Sequence, residues 1–419
     1  MPSESKASTH QVYSSGVLCW QTSTQPLYSH PMFVRLLLFF LLTHHASTGA
    51  TSPVDFKDGD RVVFIGNTFI ERSQSYGHLE TILTTALADR DLSFRNLGWS
   101  GDTVFGDARS YFGPPAEGFE RLTKHLDELK PTLIISCYGA VAAFEGEAGL
   151  PNFTKGYKTL LDMFAKTGAR IALMSPPPAE NLPAPLPNQD AHNERLALYR
   201  DAIRNLADTR NHGFVDVYGV LHDAWESLPH PLTENGIHYT DEGYAAIMPV
   251  LVTALGISLE PPSISLSLPS TEGKVSQGAL PNVSPNTKGI ILEWSPSHSI
   301  PLPLKLQITG LAEGNYSVLR DGGQMLATIG ATDLAAGIEL APSDHQPHTA
   351  TLRRAIVKKN ELFFHRWRPQ NETYLFGFRK HEQGNNAVEV LQFEPLIAEQ
   401  EARIRDLKRP TSHTLTFKR

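Results

Sequence analysis

Four short stretches of the chain hold side chains able to do chemistry. Phe64-Ile-Gly66-Asn67-Thr68-Phe69 offers a hydroxyl, and Asn96-Leu-Gly-Trp99-Ser100-Gly101-Asp102-Thr103 offers a second hydroxyl beside a glycine. Tyr138-Gly139-Ala140-Val141 is a turn-like run. Leu232-Thr-Glu234-Asn235-Gly236-Ile237-His238 sets a histidine four residues after a carboxylate. A threonine hydroxyl attacks a carbonyl once a base takes its proton, although its β-methyl restricts χ1 and crowds the approach. His238 stands beside a glycine in a loop, away from any apolar helix face, which suits a functional imidazole. Simpler readings stand beside these. Thr68 fits the cap of a following helix, Asp102 fits a cap of the next helix, and Asn235-Gly236 alone is a common turn. Ser100 is an alternative nucleophile, but it lacks the last glycine of a Gly-x-Ser-x-Gly elbow.

The elements around these stretches explain why they should meet. Apolar runs of about five residues recur at Arg61–Ile65, Leu92–Asn96, Thr132–Cys137, Arg170–Met174 and Gly213–Val217, as buried parallel strands require. Amphipathic stretches at Gly77–Ala88, Gly118–Leu129, Phe153–Thr167, Ala191–Thr209 and Asp241–Ala254 separate and follow them. The alternation predicts a three-layer α/β sandwich with a five-stranded parallel sheet. Such sheets bind ligands beyond the carboxyl ends of their strands, so the loops after Ile65, Asn96 and Cys137 are where chemistry belongs.

The texture changes after Leu255. Gly289–Trp294, Leu304–Thr309 and Tyr316–Arg320 read as strands between Gly and Asn turns, a small β-rich module. Ala355–His365 and Leu396–Leu407 read as helices. Between them Arg366, Arg368, Gln370, Asn371 and Glu372 interleave with Trp367 and Tyr374. That segment either folds back over the strand ends to supply donors or an acid, or lies on the surface as paired charges. The expected units are a leader over 1–50, an α/β domain over 51–258, a β-rich module over 259–345 and a helical segment over 346–419.

The order and spacing of the four loops resemble the SGNH (GDSL-like) hydrolase superfamily over about half the chain. That resemblance implies a flavodoxin-like sheet and ester hydrolysis by a hydroxyl nucleophile with a histidine base and a set of oxyanion donors. Position by position, it makes Thr68 the nucleophile and an oxyanion donor, His238 the base, and Gly101 the oxyanion glycine. It places Asn235, with Glu234 one step earlier, where the family has the acid. It expects Asn67, Trp99 and Phe69 to face the substrate, the last two as aromatic walls. The chain departs from the pattern at Thr68 for Ser, at Asn67 for Asp, at Val141 for the Asn donor and at Asn235 for Asp. One lost oxyanion donor costs about 10²–10³ in turnover. These departures also motivate the other class of function, a binding or scaffold protein on a retired hydrolase fold.

Composition narrows the partners. At 419 residues, with 41% hydrophobic residues and a net charge of −7, the chain has core enough for several units and no basic footprint for nucleic acid. Two cysteines, Cys19 and Cys137, make neither a zinc site nor a disulfide framework, and the 17 histidines show no metal-like pairing. No cofactor or metal is implied. Met32-Phe-Val-Arg35, a Leu/Phe run to Leu42 and Ala46-Ser-Thr-Gly-Ala50 read as a secretory signal, with Met32 the expected start and the mature chain beginning near Thr51. The expectation is an exported protein without a transmembrane helix in its mature chain. The resemblance, together with export, implies a small-molecule or carbohydrate ester as substrate, an acetylated carbohydrate being one case.

Overall fold

The computed structural model describes residues 53–111, 113–286, 289–296, 302–341 and 347–419. The expected leader, Cys19 included, lies outside the described residues. Strands β1 (Arg61–Gly66), β2 (Ser93–Asn96), β3 (Leu133–Cys137), β4 (Arg170–Met174) and β5 (Gly213–Val215) form one parallel sheet in the order β2-β1-β3-β4-β5. Successive side chains of a strand point to opposite faces, and the two faces carry separate cores. Val63, Ile65, Ile134 and Leu173 pack under α3 (Pro115–Leu129), α4 (Leu150–Ala165) and α5 (Asp190–Arg210). Val62, Phe64, Ile135 and Met174 pack under α1 (Thr68–Tyr76), α2 (His78–Ala86), α6 (Val217–Ala224) and α7 (Asp241–Ala254). The α/β sandwich and its five-stranded parallel sheet stand as expected.

One predicted helix divides differently. The stretch expected as Gly77–Ala88 is preceded by a separate helix, α1, that leaves β1 with Asn67 as its cap. Asn67 Oδ1 accepts the Phe69 N–H at 3.4 Å, so Asn67 fills the capping role that Thr68 also fitted. Gly77 ends α1 with φ 72°, and a Cβ there would lie 2.8 Å from Val357 Cγ2. The corner between α1 and α2 therefore needs glycine twice, for its left-handed turn and for the close approach of the C-terminal helix.

The second half contains two further sheets. Strands β6 (Ser263–Ser267), β7 (Gly273–Val275), β8 (Ala279–Asn286), β9 (Gly289–Ser295), β10 (Leu304–Thr309), β11 (Asn315–Arg320), β12 (Gln324–Gly330) and β13 (Ile338–Leu340) share a core of Ile264, Leu292, Trp294, Leu306, Val318 and their neighbours. A short helix, α8 (Ala331–Ala336), joins them. The helical segment is α9 (Pro347–Trp367), α10 (Glu372–Leu375) and α11 (Phe393–Leu407). It is not the end of the chain's structure, because β14 (His413–Lys418) follows and enters the sheet β12-β11-β14-β9-β8 between two strands of the module. The β-rich module thus extends beyond its expected boundary at 345. Alternating Leu415 and Phe417 face its core at 0% and 1% exposure.

The helical segment also joins the first domain. Leu362, Phe363 and Trp367 of α9 and Ile397 of α11 share a core with Trp99 and Leu97. Lys359 of α9 is buried, and its ammonium meets Glu80 at 2.6 Å and the Phe94 carbonyl at 2.9 Å. Among the described residues, no helix is long and apolar enough to cross a membrane.

The position of β14 makes a prediction. Phe417→Ala should cost about 3–5 kcal/mol, the usual range for a buried aromatic, read as a lower midpoint in denaturant unfolding followed by Trp294 fluorescence. An effect below ~1 kcal/mol would mean that the strand is not integral to the sheet.

Candidate active site

The four loops lie at the carboxyl ends of the parallel strands or just before α7. Thr68 is the first residue of α1, two positions past the end of β1. The Gly101 N–H points at Thr68 Oγ1 across 3.3 Å. Gly101 has φ 74°, and a Cβ built on it meets no atom within 4 Å. A hydroxyl and a backbone donor therefore stand side by side at the rim of the sheet, with open space beside the Gly101 Cα.

The path of this loop is set from below by a buried ion pair. Asp102 Oδ2 receives Arg109 Nε at 2.7 Å and the Tyr138 hydroxyl at 2.7 Å, while Arg109 Nη2 donates to the Leu97 carbonyl at 2.7 Å. Arg109 is 1% exposed. Burial opposes its charge, but the Asp102 carboxylate and Tyr138 more than offset this and hold its pKa above the usual value. The expected helix-cap role of Asp102 is thus corrected: its carboxylate is committed to Arg109 and Tyr138. From above, Glu71 on the first turn of α1 accepts the Ser100 N–H with one oxygen and Arg368 Nη1 with the other, the latter at 2.6 Å.

His238 is carried by a narrow loop in which Thr233 and Tyr239 form an antiparallel bridge. Glu180 holds that loop. Its buried carboxylate accepts the Leu232 N–H at 2.9 Å, the Thr233 N–H at 2.7 Å, the Thr233 hydroxyl at 2.6 Å and His230 Nδ1 at 2.6 Å. Desolvation raises its pKa, yet the Thr233 and His230 bonds and the backbone donors outweigh that and hold it below the usual glutamate value. Burial lowers the His230 pKa, and its Glu180 bond reverses this to a net rise. Ring contacts join the loop to α1: Phe69 packs edge-on to Tyr239 at 5.6 Å and stacks on Tyr244 at 5.4 Å.

Asn235 Oδ1 accepts the N–H groups of Ile237 at 3.2 Å and of His238 at 2.9 Å. Those two bonds fix the amide, so its Nδ2 faces His238 Nδ1 at 3.2 Å. A donor on that side favours the tautomer with the proton on Nε2. Glu234 Oε1 lies 3.5 Å from the same Nδ1 and 2.9 Å from Arg72, and it favours the opposite tautomer. Asn235 and Glu234 thus compete for one ring nitrogen.

Several expected site residues sit elsewhere. Phe69 is buried between two tyrosines and forms no aromatic wall. Trp99 is buried too, with the Arg368 guanidinium 3.6 Å over its ring and Trp367 edge-on at 5.8 Å. Asn67, 3% exposed, turns its side chain to the helix cap. Val141, 36% exposed, begins a turn after β3 and supplies no donor. Cys137 is a free buried thiol whose pKa burial raises to about 12. Glu180 and Glu71 had no signal in the spacing of motifs; only the Pro-rich run Pro176-Pro-Pro178 before Glu180 marks a fixed loop. Among the described residues, no three His, Cys, Asp or Glu side chains group as a metal site.

The model of the GDSL-like lipase/acylhydrolase family matches residues 64–246. No curated protein matches the sequence. Among solved structures, the chain is similar to a gut microbial diltiazem-metabolizing enzyme at 17% identity, covering 88% of this chain and 100% of that one with a TM-score of 0.68. It is also similar to an α/β hydrolase enzyme from the metagenome of Lake Arreo, Spain, at 22% identity over 49% of this chain and 99% of that one, TM-score 0.40. An acetylxylan esterase from Geobacillus stearothermophilus aligns at 15% identity over 50% of this chain and 98% of that one, TM-score 0.39.

The Glu180 bonds predict a pH signature. A carboxylate with a depressed folded pKa contributes stability that is fully present above the unfolded value of about 4.3 and lost as pH falls through the folded one. Glu180→Gln should therefore cost about 1.5–3 kcal/mol at pH 7, and the gap to the parent should close as acid protonates Glu180. The His230 contribution has the opposite sense, full below about pH 6.5 and lost as pH rises through its raised value. Thermal melts of both proteins from pH 3 to 8 check this; a gap that widens in acid would contradict it.

Proposed function

We propose, on the premise that residues 64–246 belong to the GDSL-like lipase/acylhydrolase family within the SGNH hydrolases, that this protein cleaves small acyl esters through Thr68 and His238 at an attenuated rate. The observation that carries the reading is the 3.3 Å approach of the Gly101 N–H to Thr68 Oγ1. It sets an oxyanion donor beside a hydroxyl, as acyl transfer requires.

In this reading Thr68 Oγ1 attacks the ester carbonyl, and His238 takes the hydroxyl proton and returns it to the leaving alcohol. The tetrahedral oxyanion rests on the N–H groups of Gly101 and Thr68. Water then attacks the acyl-threonine by the same route in reverse, releasing the acid. The working tautomer has the proton on His238 Nδ1, and Glu234 is the group that accepts it. Asn235, with its Nδ2 turned to Nδ1, favours the idle tautomer. In serine proteases an Asp-to-Asn change of this kind lowers turnover by about 10⁴. Val141 removes a further donor. In this reading both features reduce the rate.

The substrate follows less from the site than from its openness: a small acyl group, with acetyl esters of carbohydrates as the first class to assay, on a protein exported through the leader that the sequence suggests. The same Val141 and Asn235 also favour the second reading, a retired fold that only binds.

Hydrolysis of p-nitrophenyl acetate decides between them. Thr68→Ala and His238→Ala should each reduce kcat to the uncatalysed level, while Asn235→Asp should raise it by roughly 10²-fold or more, since an aspartate keeps the backbone bonds and turns an acceptor to Nδ1. A parent no faster than Thr68→Ala, with no gain in Asn235→Asp, would leave the binding reading.

A further inference from the structure

We infer that Arg368, from the C-terminal segment, is a positioning residue for the oxyanion donor, acting through Glu71; the inference deepens the hydrolase reading and rests on it. Arg368 directly follows α9, and its backbone N–H continues that helix by bonding the Phe364 carbonyl at 2.9 Å. Its guanidinium makes one contact with the loop that carries Gly101 and one with α1. Its Cζ lies 3.6 Å from the centre of the Trp99 ring, and it donates to Glu71 Oε1 at 2.6 Å. The other oxygen of Glu71 accepts the N–H of Ser100, the residue next to Gly101.

The chain of contacts therefore runs from Arg368 to Glu71, to the Ser100 amide, and to the Gly101 amide facing Thr68. Gly101 has no side chain to pack, and the space where a Cβ would sit is open. Its orientation is set by its two neighbours: Asp102 is anchored by Arg109, and Ser100 by Glu71. Arg368 has an electrostatic part as well. Glu71 lies one helical turn from Thr68, where an unpaired carboxylate would oppose a developing oxyanion. The side chains of Arg368 and Glu71 are 23% and 16% exposed, so their pairing is little screened by water. With Val141 giving no donor, the backbone amides bear all of the oxyanion's charge, and their alignment matters more than in a site with the asparagine.

The test uses the full chain with Arg368→Met, Arg368→Lys and the double variant Arg368→Met/Glu71→Gln. Two readouts are taken: kcat and KM on p-nitrophenyl acetate, and amide hydrogen exchange at Ser100 and Gly101 against β1 amides. In Arg368→Met, exchange at Ser100 and Gly101 should quicken while β1 stays protected. Its kcat should fall on the order of 10–10²-fold with KM little changed, the usual result of a misplaced catalytic group. Arg368→Lys should recover only part of the rate, since lysine keeps the charge without the planar fork. The double variant should exceed Arg368→Met, because it removes the unpaired carboxylate. Unchanged exchange at Ser100 and Gly101 overturns the inference, as does faster exchange shared equally by β1, which would mark general loosening. If the parent shows no Thr68-dependent turnover, the hydrolase reading fails, and exchange at the two amides alone then decides whether Arg368 positions the loop.

Discussion

A guanidinium shut away from water is stable only when its charge and its donors are met, and Arg109 meets that condition with Asp102 and the Leu97 carbonyl. Removing one partner from such a pair costs about 3–5 kcal/mol, so the loop between β2 and α3 has little freedom to take another path. The same constraint recurs at the other loop of the site. Glu180 is buried, and the donors it needs come from the backbone and side chains of residues 230–233. A third buried charge, Lys359, locks α9 against β2 and α2. These charges fix loops that would otherwise be free to differ, and the candidate catalytic atoms ride on those loops.

From that fixed frame the chemistry divides in two. The Thr68–Gly101 half keeps what an acyl-transfer site needs, a hydroxyl beside a backbone donor. The His238 half is altered. The amide of Asn235 is pinned by two backbone N–H groups, so it presents a donor where an acid would present an acceptor. Glu234 stands nearby and is shared with Arg72. The C-terminal helices are part of the same object, since Arg353 of α9 bonds Asp241 at the start of α7 at 3.1 Å while Arg368 bonds Glu71.

Much of this was legible in the sequence because it is written in local periodicity. The strands at Arg61, Thr132 and Arg170 and the helix at Asp241–Ala254 announce themselves by continuous or 3.6-residue apolar patterns. The four loops follow, since a parallel sheet puts its useful loops at one edge. What escaped is long-range pairing. Glu71 and Arg368 lie 297 residues apart, and neither belongs to a recurring pattern. Phe69 and Trp99 looked like substrate walls because they flank the motifs, but their rings fill gaps between α1, α7 and the C-terminal helix. The strand His413–Lys418 shows the alternation of Leu415 and Phe417, yet its partners, β9 and β11, lie about a hundred residues earlier and leave no local trace.

The most direct measurement of the central claim is the site of covalent capture. The intact protein would be treated with a fluorophosphonate probe and the labelled peptide located by mass spectrometry, with His238→Ala beside it. The account predicts adduct on Thr68 in the parent and none in His238→Ala. Adduct on Ser100, or equal labelling in both proteins, would contradict it.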